Sequence, residues 1–193
     1  MVTWIIGIAS LAMVLGGLMY LREMLLGQVK PNRVTWLLWG LAPLIGALAA
    51  WQDGVGWRVW LPIMCIGFGT ILVVVLSFFT KNGYWHLGWF DYVCGLFALL
   101  TLLLWALTQD PFIATVLALI SDGLAALPTV RKSWKFPETE AIAAYFFTAI
   151  ASATGLLALE RGDFVEWAFP TYVAMINFLI AGVIYFRRRV KQV

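Results

Sequence analysis

The chain is poor in almost everything a soluble enzyme relies on. Of its 193 residues 12% are charged, one is histidine (His86) and two are cysteine (Cys65 and Cys94). One imidazole and two thiols give no donor set for a zinc or haem site and no thiol relay. Both cysteines sit inside apolar runs and read as small core residues. No Ser/His/Asp set forms around a loop-borne His86, and no glycine-rich phosphate cradle is written into the chain. The expectation is therefore no catalytic residues, no cofactor, no metal and no enzymatic activity. The scarcity of charge excludes more. Soluble domains carry about 25% charged residues, and half that share does not coat a water-exposed globule of this size. The net charge is +3, but the basic residues form short clusters between apolar segments, a pattern of membrane topology and not of a nucleic-acid partner. The chain turns apolar within three residues, with no basic stretch or small-residue cleavage pattern of a secretory leader.

What is present is apolar and aromatic: 63% hydrophobic residues, a mean hydropathy of +0.90 and eleven tryptophans. A hydrocarbon core about 30 Å thick needs roughly 20 apolar residues per helix. Seven runs qualify: Trp4–Tyr20, Val34–Trp51, Val59–Thr80, Tyr92–Leu107, Pro111–Leu127, Ala141–Leu159 and Trp167–Phe186. They are continuous rather than alternating, which excludes a β-barrel. The fold class expected is all-α, a polytopic membrane protein of seven transmembrane helices. The breaks carry helix signals. Asp110-Pro111 is a cap followed by a proline at the first helical position. Lys30-Pro31-Asn32 and Phe136-Pro137-Glu138 punctuate two loops, Asp91 reads as a cap, and Asp163 with Glu166 resembles a capping box.

Counting lysine and arginine on alternate sides gives eleven against two, with Arg58 and Arg161 the minority. The positive-inside rule then puts the N-terminus outside and the C-terminus in the cytoplasm of a cell's inner membrane. Trp4, Trp36, Trp51, Trp57, Trp60, Trp85, Trp89, Trp134 and Trp167 fall near span ends, as an interfacial aromatic belt does. Trp39 and Trp105 sit deeper. The Arg187-Arg188-Arg189 cluster reads as an anchor against anionic lipid.

The chain also repeats itself. Met19-Tyr20-Leu21-Arg22 leads to a loop closed by Pro31, and Pro128-Thr129-Val130-Arg131 leads to one closed by Pro137. Trp60-Leu61-Pro62 and Trp167-Ala168-Phe169-Pro170 open the third and seventh spans at a similar offset, about 106–109 residues. Spans 1–3 and 5–7 then form two copies of a three-helix unit: residues 1–80 and 110–193, joined by a linker helix within 81–109, in a 3+1+3 arrangement. Three helices and a linker restore the direction of the chain, so the repeats are parallel.

These stretches, with Lys30-Pro31-Asn32-Arg33-Val34-Thr35-Trp36 and Ser121-Asp122-Gly123-Leu124-Ala125-Ala126-Leu127-Pro128-Thr129-Val130-Arg131-Lys132-Ser133-Trp134, resemble the PQ-loop/SWEET-like superfamily over nearly the whole chain, and most of all uncharacterised bacterial seven-helix proteins of that type. Two departures stand out. Pro128-Thr129 replaces Pro-Gln in the second copy, and Met19-Tyr20 leaves the first copy without the proline. That superfamily includes sugar transporters, proton-coupled amino-acid exporters and a cargo receptor, so the resemblance implies the fold more narrowly than the substrate.

Few residues carry chemistry. Asp122 stands six residues before Pro128, about 9 Å inside the predicted end of span 5. It reads as a proton-coupling or hydroxyl-binding carboxylate, or as an acid tying span 5 to a neighbour beside Ser121 and Gly123. Asn177 lies near the middle of span 7 and resembles the substrate-contacting asparagine of SWEET-like transporters; the first copy offers Gly69 or Thr70 there. An interhelical amide bond is the other reading of Asn177. Trp39 and Tyr145, 106 residues apart, suit two aromatic plates against a solute, or ordinary packing. Pro43 in span 2 and Pro128 are candidate hinges; Gly67 and Gly69 in span 3 read as kinks or as close packing. The expected function is transport of a small polar solute, sugar-like or amino-acid-like, by alternating access with proton coupling at Asp122. The partners are the lipid bilayer and that solute. The alternative is a non-transporting scaffold, receptor or accessory subunit bound to a partner membrane protein.

Overall fold

The computed structural model describes residues 2–52, 57–80, 86–108, 110–159 and 163–191, apart from the side chains of residues 2, 3, 6, 46, 47, 49, 50, 52, 57–63, 111, 158 and 166. Seven α-helices follow one another: α1 Val2–Leu25, α2 Arg33–Gln52, α3 Trp57–Ser77, α4 Trp89–Leu107, α5 Pro111–Lys135, α6 Ile142–Gly155 and α7 Phe164–Lys191, with short 3-10 turns at Pro137–Thr139 and Leu156–Ala158. All described secondary structure is helical. Four helices are long and apolar enough to cross a membrane: Gly7–Leu25, Trp89–Leu107, Phe112–Lys135 and Trp167–Lys191; α2, α3 and α6 contain shorter apolar stretches among the described residues.

The helix ends follow the chemistry of their sequences. Asp110 caps α5 through its Oδ1, which accepts from the Ile113 amide at 2.9 Å ahead of Pro111 at the first position. Asn32 does the same for α2, its Oδ1 accepting from the Val34 and Thr35 amides. α1 stops at Gly27, whose φ of 74° is a left-handed conformation that closes the last carbonyls, with the Gly27 amide donating to Met24 and the Gln28 amide to Glu23. α5 outruns its expected span by about two turns and α7 runs more than one turn past its own, because their polar last turns are bonded to one another and to the intervening loop instead of lying free in water.

The helices alternate in direction. Arg33 at the start of α2 bonds Ser77 at the end of α3, and Asn32 bonds Asp91 at the start of α4. Tyr20 near the end of α1 reaches Glu140 ahead of α6, and Arg187 at the end of α7 bonds the Trp134 carbonyl at the end of α5. One end of the bundle thus gathers Arg22, Lys30, Arg33, Arg131, Lys132, Lys135, Arg187, Arg188, Arg189 and Lys191. We call it the basic end. At the opposite end Phe112 and Phe164 stack 4.9 Å apart where α5 and α7 begin. Lys81, Trp85, Arg161 and the side chains of Trp57, Arg58, Trp60 and Glu166, which enter the expected charge bias, belt and capping box, lie outside the described residues.

The most extensive packing joins α2 to α3, α4 to α5, α6 to α7 and α1 to α6; α5 also meets α7 and α2, α2 meets α4, and α1 meets α3. Small residues recur at the interfaces beside bulky ones such as Tyr20, Met24, Ile180 and Ile184, and let the helices approach closely. Leu38, Ala98 and Ala125 bring α2, α4 and α5 together; Ala144, Ala149 and Ala181 are buried in α6 and α7. A Cβ added to Gly67 would lie 3.0 Å from the Gly40 carbonyl, so α2 and α3 cross nearly in contact. α4 buries one face only: Asp91, Cys94, Ala98 and Leu102 form a single buried stripe, while Trp89, Phe97, Leu103 and Leu107 face outward. The two thiols are free. Cys94 is buried as expected, but Cys65 is exposed on α3 and is not a core residue.

Candidate functional site

Two polar clusters interrupt this apolar bundle. The first surrounds Asp122. Because α5 runs on to Lys135, Asp122 is thirteen residues from the basic end of its helix and eleven from the other. That is about 20 Å and 16 Å at 1.5 Å per residue, so the carboxyl stands at the middle of the helix and much deeper than the 9 Å expected. Every other Asp, Glu, Lys or Arg within the seven helices lies within five residues of a helix end. Trp39 of α2 and Tyr172 of α7 turn their polar atoms to this carboxyl. The buried Trp39 Nε1 and Tyr172 hydroxyl stop short of full hydrogen-bond geometry to it or to any other described atom. The Tyr172 hydroxyl also lies 3.5 Å from where a Cβ on Gly123 would be, so the absence of a side chain there admits the phenol against α5. Next along the helix, Ser121 Oγ donates to the Ala98 carbonyl at 2.8 Å and fastens α5 to α4.

The second cluster closes the basic end. Lys132 and Glu140 are fully buried and paired at 2.6 Å. Lys132 Nζ also donates to the carbonyls of Lys30 and Thr139, while Glu140 Oε2 accepts from Tyr20 at 3.2 Å and Tyr145 at 2.8 Å. The Lys30 amide donates to the Thr139 carbonyl, and Arg188 donates to the carbonyls of Pro137 and Glu140. The carboxylate and ammonium thus have the full set of partners that makes a buried ion pair tolerable. Just inside, Thr129 donates to Thr35 at 3.0 Å. An aromatic row spans the gap between the clusters: Tyr145 to Tyr20 at 6.4 Å, Tyr20 to Trp36 at 4.5 Å, Trp36 to Trp39 at 6.1 Å.

The residues singled out from sequence divide accordingly. Asp122 and Trp39 come together. Tyr145 stands instead in the Glu140 cluster, so it and Trp39 occupy the two ends of the aromatic row. Asn177 and Thr70 each donate to a carbonyl four residues back on their own helix, Val173 and Ile66 respectively. Pro43, Pro128 and Pro170 lie inside helices; Pro128 also lines a cavity of about 180 Å³ at the basic end with Asp91, Arg131 and Lys135. Asp91 is a cap, its Oδ2 accepting from the Gly88 amide at 2.7 Å, and also a bridge, its Oδ1 accepting from Asn32 Nδ2. Of the terminal cations, Arg187 and Lys191 donate to the Trp134 and Lys135 carbonyls at the end of α5 and Arg188 to the α5–α6 loop, with Arg187 also over the Trp134 ring and Arg189 over that of Tyr185. Sequence reasoning missed Glu140, Tyr20 and Tyr172. The available signal for Glu140 was its place between a proline turn and an apolar helix, eight residues from Lys132. Among the described residues no three of His, Cys, Asp and Glu converge into a metal-binding group. Compared with protein families, curated proteins and solved structures, the chain matches none.

Proposed function

We propose that this chain is a seven-span transporter of a small polar solute, working by alternating access in a cytoplasmic membrane, with its basic end on the cytoplasmic side and Asp122 as its coupling group. The observation that carries the proposal is the mid-helix carboxyl of Asp122 between Trp39 and Tyr172, on three helices at once. A carboxyl in hydrocarbon is expensive and marks a path for protons or solute more often than a fastening.

The packing pattern supports the 3+1+3 reading, two PQ-loop/SWEET-like units. Under the exchange of α1, α2 and α3 with α5, α6 and α7, the pair α2–α3 becomes α6–α7, α1–α3 becomes α5–α7, and α1–α6 becomes α5–α2; each of these contacts exists. α4 stands outside that exchange and packs on α2 and α5. In this reading the Lys132–Glu140 cluster, which ties the loop after α1 to the loop after α5, holds the cytoplasmic end shut.

The test is a thermal-shift screen of purified protein in detergent against sugars, amino acids, nucleosides and amines, beside Asp122→Asn, followed by uptake of any hit into proteoliposomes. A ligand raises stability by mass action. A hit lost in Asp122→Asn and accumulated by wild-type vesicles supports the proposal. Silence throughout the screen, with a stoichiometric protein partner retained through purification, would replace it with the scaffold reading.

A further inference from the structure

The environment of Asp122 constrains what can bind there. α5 packs against α2, α4 and α7, and the groups these bring toward the carboxyl are Trp39 and Tyr172. The remaining titratable groups of the described residues lie elsewhere along those helices. On α4, Asp91 is held by Asn32 and the Gly88 amide at the basic end, one turn from the buried Cys94 thiol. On α2, Arg33 bonds Ser77. On α5 itself, Arg131 lies over the Phe90 ring and Lys132 is paired with Glu140. The cations of α7 begin at Arg187, ten residues beyond mid-helix Asn177. With no cation of the described residues facing it, a mid-helix carboxyl in an apolar bundle is neutralised by a proton or by an arriving positive charge. One carboxyl accommodates one of the two.

The groups beside Asp122 favour an organic cation: the Trp39 indole and the Tyr172 phenol flank the carboxyl with polar atoms left unpartnered, and aromatic rings attract organic cations over their faces. The geometry points to a small organic cation, an amine in its ammonium form, as the solute, and to its exchange against a proton at Asp122. In that step the carboxylic O–H bond breaks, the proton leaves to water, and the carboxylate pairs with the ammonium. Passage across the membrane rests on the transporter reading above; the binding step does not.

The test uses the full chain in detergent at low buffer strength, with ethylamine, ethanolamine and choline as probes and glucose as the neutral control. Where Asp122 holds its proton, a pH indicator should report about one proton released per amine bound, and the apparent affinity should fall about tenfold for each further unit by which the pH is lowered. Asp122→Asn should abolish both effects and Asp122→Glu should restore proton release. Absence of release with every amine, from protein that still unfolds cooperatively, overturns the inference, as does release that survives in Asp122→Asn. Proteoliposomes separate the two readings. Amines that release protons in detergent but drive no proton flux across vesicles leave the cation site standing and sink transport. Uptake of glucose indifferent to amines does the reverse.

Discussion

The sharpest energetic consequence of the structure is at Glu140. Its carboxylate accepts from Lys132, Tyr20 and Tyr145, and both members of the ion pair are out of contact with solvent. Removing one partner of such a pair leaves the other charge buried and uncompensated, at a cost of about 3–5 kcal/mol. In Glu140→Ala the Lys132 ammonium keeps the Lys30 and Thr139 carbonyls, which limits its own loss, but two phenol hydroxyls also lose their acceptor, at about 1–3 kcal/mol for each that stays unsatisfied. The expected destabilisation is therefore about 4 kcal/mol or more. At about 2–4 °C per kcal/mol for a chain of this size, the unfolding midpoint should fall by roughly 8–16 °C. Lys132→Met alone should cost about 3–5 kcal/mol, and the double variant less than the two singles together, because neither charge is then stranded. The assay is thermal unfolding in detergent, followed by the recovery of monodisperse protein at each temperature. A Glu140→Ala midpoint within 2 °C of wild type, or strictly additive single variants, would refute the reasoning that this pair is dry and mutually dependent.

Three further outcomes follow from the geometry. Asn32→Ala removes the cap of α2 and the bond to Asp91, and should cost about 1–3 kcal/mol; Asn32→Asp keeps the cap but sets a second carboxylate against Asp91, and should be worse at pH 8 than at pH 5 when both are followed by thermal unfolding. Gly67→Ala pushes a methyl to 3.0 Å from the Gly40 carbonyl and should destabilise by about 1–3 kcal/mol, whereas Gly69→Ala, two residues on with open space around it, should be neutral or slightly stabilising in the same assay. Truncation before Arg187 removes the bonds to the Trp134, Pro137 and Glu140 carbonyls, and should expose the α5–α6 loop to limited proteolysis under conditions where the full chain resists.

The helices were legible because an apolar run of some twenty residues has few alternatives, and because the Asp110-Pro111 and Asn32 caps are local chemistry carried by neighbouring residues. The depth of Asp122 was not, because the end of α5 is set by tertiary bonds. The sequence from Pro128 to Lys135 looks like a departing basic loop, and becomes helix once Thr129 meets Thr35 and Lys132 meets Glu140. Trp39 and Tyr145 have equivalent sequence places, but pairing by offset says nothing about which acid each ring finds, and the two acids are not repeated: Glu140 and Asp122 each occur in one copy. Tyr172, about two helix turns inside an aromatic-rich end, is hard to tell by spacing from an interfacial tyrosine. Its significance depends on Gly123 across the interface.

The bond between Tyr20 and Glu140 spans 120 residues, and the helix that carries Tyr20 packs chiefly on α6. At about 5–20 residues per second of synthesis, Tyr20 waits on the order of 6–24 seconds before Glu140, 120 residues later, exists. During that interval its phenol and the close-approach surface at Gly16 are open to whatever else the membrane offers. The packing of α1 on α6 thus joins segments made 120 residues apart. A ribosome stalled before residue 140 leaves a hydrophobic helix with its docking face unclaimed, a natural handle for an insertase to hold or a membrane protease to seize.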